Sequence, residues 1–147
     1  MKFLSKLWND IVGPDKFQEA LIDAICAAII ADATVTEHEM SYVTGFIESL
    51  LRIDEAKAVT IVEKSLTRVE GRELHELLQD INKRLATPKN REGVFKVVSA
   101  AMCVDGEVAF EEEDLLKTMA EAFGISNELA DELIAGAKKE FIDEIDD

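Results

Sequence analysis

Residues 27–39 read AAIIADATVTEHE and residues 100–114 read AAMCVDGEVAFEEED. Each passes from small and apolar residues through an aspartate into a glutamate-rich start of a new segment. Sliding the chain by 73 positions lays Asp32 on Asp105, Val35 on Val108 and Glu39 on Glu112. Ala27, Ala28 and Glu48 meet identical residues in that register, while Phe46 meets Met119 and Leu50 meets Phe123. After one extra residue, IDEAKAVTIV (53–62) aligns with ISNELADELI (125–134). An internal repeat of this kind is a fold-level signal. Each half reads as a helix, an acidic turn, a second helix and a third. In this register the segment 70–86 has no counterpart and links the halves.

Outside the turns, apolar residues recur at helical spacing, as in Leu21, Ile22, Ile25, Ile29 and in Val43, Phe46, Ile47, Leu50. Thr36 and Glu39 have the spacing of a capping box. Asp54 and Ser126 suit N-caps, and Thr87 precedes Pro88 as a cap precedes a first helical residue. Gly13, Gly71, Gly106 and Gly124 mark stops. The expectation is an all-α, single-domain bundle of about seven to eight helices with an internal pseudo-twofold repeat. The helices are placed at 3–12, 15–31, 37–51, 54–67, 70–86, 88–104, 110–123 and 127–143. In domain terms, residues 1–16 form an amphipathic N-terminal helix and 17–147 the helical domain, with repeat halves at about 17–68 and 88–143.

Composition bounds the function. The 147 residues suffice for one buried core. Almost half are apolar, which separates the chain from a disordered acidic tail. A formal net charge of −15 excludes nucleic acid as a partner, because its phosphates need Lys and Arg. The charge suits cations or basic proteins. Cys26 and Cys103 lie in apolar helical runs, fit a reducing compartment, and form no CxxC pattern. No signal peptide and no membrane-spanning run is read, so a cytoplasmic location is expected.

The turns share D-x-x-V-x-x-x-E, the pattern of the back half of an EF-hand loop. The front half is missing: Ala101 and Cys103, like Ala28 and Ile30, stand where the first carboxylates belong. One half-loop cannot supply the six to eight oxygens a hard cation takes, but two facing half-loops could. A plainer reading stands beside this one. Acids in the first turn of a helix are stabilised by its partial positive charge without any ligand, and Glu37, Glu39, Glu111, Glu112 and Glu113 fit that description.

An amphipathic N-terminal helix followed by two D-x-x-V-x-x-x-E turns between helices resembles the tellurite-resistance TerB-like family. The similarity covers roughly residues 17–140 and is strongest at the two stretches quoted above. It implies an all-helical bundle with internal pseudo-symmetry, acting as a non-enzymatic module in stress and metal-ion response. It also implies a divalent-cation site at Asp32, Glu39, Asp105 and Glu112, with Glu111 as a neighbour and calcium or magnesium as the favoured ion. The chain departs from the family at Ala33, where Gly is usual. Alanine disfavours the left-handed conformation, so the first turn is expected to differ in shape, and Asp105 and Glu112 form the firmer pair.

The opening MKFLSKLWNDIV puts Phe3, Leu4, Leu7, Trp8, Ile11 and Val12 on one face, with Lys2, Lys6 and Asp10 opposite. Such a face packs on a bundle or a partner. It also suits a weak peripheral membrane contact through residues 1–13. His75 is placed on a solvated face, and no P-loop, HExxH or GxGxxG occurs. The leading expectation is thus a binding module, not an enzyme, working through protein partners. The alternative is a metal-free acidic adaptor or dimerisation domain, a homodimer included, that meets a basic protein.

Overall fold

Three helix starts follow from single side chains. Asp54 accepts the Lys57 amide at 2.9 Å. Thr87 Oγ1 accepts the Asn90 amide at 3.1 Å, ahead of Pro88. Ser126 Oγ accepts the Leu129 amide at 3.2 Å. Each satisfies an amide that the first helical turn leaves without a partner.

A computed structural model describes residues 15–29, 37–85, 87–102 and 110–146, with side chains at 18–28, 37, 40–85, 87–102 and 114–139. The described residues form seven α-helices and no strand: α1 Asp15–Ile29, α2 Glu37–Leu51, α3 Glu55–Val69, α4 Leu74–Arg84, α5 Pro88–Ala101, α6 Phe110–Ala122 and α7 Asn127–Asp146. The helix placed at 3–12 lies outside the described residues.

The repeat is visible in the packing. Helix α1 lies against α2 and α3, and α2 against α3; likewise α5 lies against α6 and α7, and α6 against α7. Contact between α1 and α5 joins the halves, and α4 covers both α1 and α6. Every residue from Ala20 to Ala28 is buried. A surface helix buries one stripe, so α1 is a central helix enclosed on all sides. Phe95, Leu21, Ile25, Ile47, Leu78 and Leu116 are among the largest fully buried side chains.

Corresponding helices end alike. The Ile125 amide reaches the Ala120 carbonyl at 2.8 Å and the Gly124 amide the Glu121 carbonyl at 3.1 Å. This is a Schellman closure with Gly124 at φ +71°. In the first half the Ile53 amide reaches the Glu48 carbonyl at 3.3 Å, and Arg52 holds φ +56° in the position of Gly124. Helix α5 ends at Ala101 rather than 104 and α7 runs to Asp146 rather than 143, and the bounds also shift between α3 and α4. Helix α3 runs on to Val69, past 67, and α4 begins at Leu74 rather than 70. Between them Gly71 holds φ +73°, and the Glu73 carboxylate caps α4 by accepting the Glu76 amide at 2.9 Å. The α3–α4 turn thus occupies residues that a continuous charged pattern assigned to helix.

Candidate functional site

Glu39 is the third residue of α2 and Glu112 the third of α6; Glu111 is the second of α6. All three stand in the first turn of a helix, where amides point outward and negative charge is favoured. Helix α2 begins one residue after Thr36, as the capping-box spacing requires. Asp32 and Asp105 lie outside the described residues, and so do the side chains of Glu39, Glu111 and Glu112. Among the described residues no group of three or more His, Cys, Asp or Glu side chains could hold a metal ion. The quartet named from the sequence is not among the side chains to which that statement applies.

The helix ends around the two turns do meet. Tyr42, in the second turn of α2, donates its hydroxyl proton to the carbonyl of Ala101, the last residue of α5. The first acidic turn leads into α2 and the second leaves α5. One hydrogen bond spanning 59 positions of sequence therefore ties the helix after one turn to the helix before the other.

The most developed polar cluster lies elsewhere. Asp23, in the middle of the apolar run ALIDAICAAII, is only 1% exposed. Its carboxylate receives Arg68 Nε at 3.1 Å on both oxygens and Arg68 Nη2 at 2.8 Å. It also receives Arg84 Nη2 at 3.0 Å and the Ser65 hydroxyl at 2.7 Å. Arg84 and Arg72 further approach Asp80, each at 3.4 Å. A buried carboxylate needs partners of this kind. Here they come from α3 and α4 and fix both helices to α1. The hydrogen bond to Asp23 raises the Arg68 pKa, so the guanidinium stays charged. Cys26, one turn along α1, is buried; burial pushes its thiol up to about 11, against a smaller lowering by the Ser65 hydroxyl. It is an inert thiol, since the thiolate is the nucleophile. The sequence held one signal for this cluster, an aspartate where the helical pattern demands an apolar residue.

A sequence model of the family described as "Tellurite resistance protein TerB" matches residues 18–135. The chain belongs to that family. The match takes in both acidic turns, the five complete helices α2 to α6 and the cluster-bearing part of α1, and it reaches into α7. No curated protein and no solved structure matches the chain. For a TerB-family chain the fold is as expected, an all-helical bundle. No helix among the described residues is long and apolar enough to cross a membrane.

Proposed function

We propose that this TerB-family chain is a non-enzymatic binding module of a tellurite- or metal-stress response, and that it holds one divalent cation between its two acidic turns. Asp32 and Glu39 would supply oxygens from the first turn, Asp105 and Glu112 from the second, and Glu111 stands beside them. The observation that supports a shared site is the bond from Tyr42 to the Ala101 carbonyl, which couples the helices flanking the two turns. Two half-loops joined in this way can approach the six to eight oxygens that calcium takes. Four carboxylates also favour a hard cation over zinc, which selects nitrogen and sulfur ligands.

The test is thermal unfolding of metal-stripped protein, alone and with calcium, magnesium, manganese or zinc, repeated on Asp105→Asn/Glu112→Gln. A site filled at 100 times its dissociation constant adds about 2.7 kcal/mol, several degrees for a domain of this size. The proposal expects a rise with one cation that is lost in the double variant. An equal small rise with every divalent ion, retained in the variant, leaves the acids as helix-start charges. The chain would then be an acidic adaptor, its surface meeting a basic partner in a salt-sensitive way.

A further inference from the structure

The charge of the chain is unevenly placed. Residues 52–91 hold nine Lys or Arg against seven Asp or Glu, a net of +2 within a total of −15. On α3 the basic residues also share one side. Lys57, Ile61, Lys64 and Arg68 follow one another at steps of four, three and four residues, the spacing of a single helical stripe. Ala58, Val62, Ser65 and Val69 form the buried side of the same helix. The two acids of α3, Glu55 and Glu63, fall outside the stripe. Lys57 and Lys64 are exposed and Ile61 is half-buried between them, so the stripe is open to solvent.

The fold does not require these lysines. In the repeat register α3 corresponds to α7 at a shift of 72, and its core positions stay alike: Ala58 meets Ala130, Val62 meets Ile134 and Ser65 meets Ala137. The stripe positions diverge. Lys57 meets Leu129, Ile61 meets Leu133 and Lys64 meets Gly136. Among the described residues neither lysine makes an ion pair. Arg68, at the end of the stripe, is different. Asp23 holds it through Nε and Nη2, yet 33% of its side-chain surface stays in water. Its guanidinium is fixed before any partner arrives, so the side-chain entropy that binding would otherwise cost is already lost. Arg72 and Arg84 continue the positive surface beyond α3. Five cations, Lys57, Lys64, Arg68, Arg72 and Arg84, stand there against the two carboxylates of Asp23 and Asp80, a net of +3.

We propose that this stripe of α3 is a docking surface for an acidic protein segment, an amphipathic helix whose carboxylates meet Lys57, Lys64 and Arg68 and whose apolar residue covers Ile61. From Lys57 to Arg68 the stripe runs about 16 Å, three turns of a partner helix. A narrow segment of that length meets the stripe alone. A membrane surface or a nucleic acid would extend over the acidic remainder of the molecule, well beyond the screening distance of about 8 Å at physiological salt, and be repelled there. Arginine is also the residue best shaped to receive a carboxylate, and it is enriched among the residues that dominate binding energy. The surface uses none of the acidic-turn residues, so it stands whether or not those turns hold a cation.

Fluorescence anisotropy of a labelled oligoglutamate of about 12 residues, titrated with the full chain at low ionic strength, tests the surface. Docking on the stripe expects saturable binding that weakens about ten-fold or more in Lys57→Glu/Lys64→Glu. It expects a much smaller loss in Lys117→Glu/Lys139→Glu, which makes the same change of net charge at exposed positions of α6 and α7. All four lysines are exposed, so circular dichroism should show both variants folded. Lys57→Gln/Lys64→Gln, the milder change, should bind with intermediate affinity. No binding of oligoglutamate, or an equal loss in the two charge-reversed proteins, would overturn the docking surface. Phosphatidylserine vesicles and a single-stranded oligonucleotide, titrated alike, should bind more weakly than the peptide. Tighter, stripe-dependent binding of either would overturn the assignment to an acidic protein segment.

Discussion

Arg52 and Gly124 occupy the same place in the two repeats, and only one of them suits it. Both hold positive φ at the end of a helix, where an L side chain costs about 1 kcal/mol or more. Nothing lies within 4 Å of a Cβ added to Gly124, so Gly124→Ala should lose about 1 kcal/mol from backbone strain alone. Arg52→Gly should gain about 0.5 kcal/mol, the relief of strain being offset in part by the freer unfolded chain. Urea titrations of the two variants check both signs. Asp23 is the costlier residue. Asp23→Ala strands two guanidinium groups and a buried hydroxyl, and breaking a buried pair costs about 3 to 5 kcal/mol. The value should fall at the low end, because Arg68 and Arg84 keep 33% and 24% of their side-chain surface and can rehydrate. Cys26 adds a pH dependence of definite sign. Its folded pKa of about 11 exceeds the ordinary 9.0. The neutral buried thiol therefore costs nothing below pH 9, and stability falls as the pH rises towards 11, by about 2 to 3 kcal/mol for that difference. Cys26→Ala should lose a little packing at every pH and show a shallower alkaline decline in the same denaturant titrations.

Among the elements, those whose ends are set by local chemistry were the legible ones. Asp54, Thr87 and Ser126 announce their helices in sequence and cap them in the structure, because a capping side chain and the amide it serves are three residues apart. The start of α4 was illegible for the opposite reason: Glu73 is an unusual cap, and the charged stretch around it has no break except Gly71. Hydrogen bonds from the His75 and Glu76 amides lower the Glu73 pKa, so this fully exposed contribution is present at neutral pH and is lost as the pH falls through the carboxylate range. The site was legible only in part. Glu39 and Glu112 could be placed in first turns from their spacing, whereas Tyr42–Ala101 and Asp23–Arg84 join residues 59 and 61 positions apart, and no periodicity encodes such pairs. Tyr42→Phe isolates the first of them. It removes one hydroxyl and should cost about 1 kcal/mol. If the two turns share a cation, the same change should also weaken the calcium-induced rise in Tm; an undiminished rise would separate the hydrogen bond from the site.

At the scale of the whole molecule, duplication raises the question of whether the halves are independent. Their packing argues that they are not. Helix α1 serves its own half through α2 and α3, and the other half through α5 and α6. On these contacting helices Leu21, Ile25, Phe95, Val98 and Leu116 are fully buried, each at 0% exposure. Separating the halves would put this surface into water, and each aliphatic or aromatic side chain so exposed costs about 1.5 to 3 kcal/mol. The few kcal/mol by which a domain is stable cannot absorb several such losses. Fragments 15–86 and 87–147 should therefore each be largely unfolded alone by far-UV circular dichroism, and should regain helicity when mixed. The intact chain should unfold in urea in one transition, with coincident curves from circular dichroism and from Cys26 labelling measured in a Cys103→Ser background. Two separated transitions, or a fragment that folds alone, would mean that each acidic turn is carried by an autonomous half. A cation could not then depend on the α1–α5 contact for its geometry, and the shared-site reading would have to rest on the turns themselves.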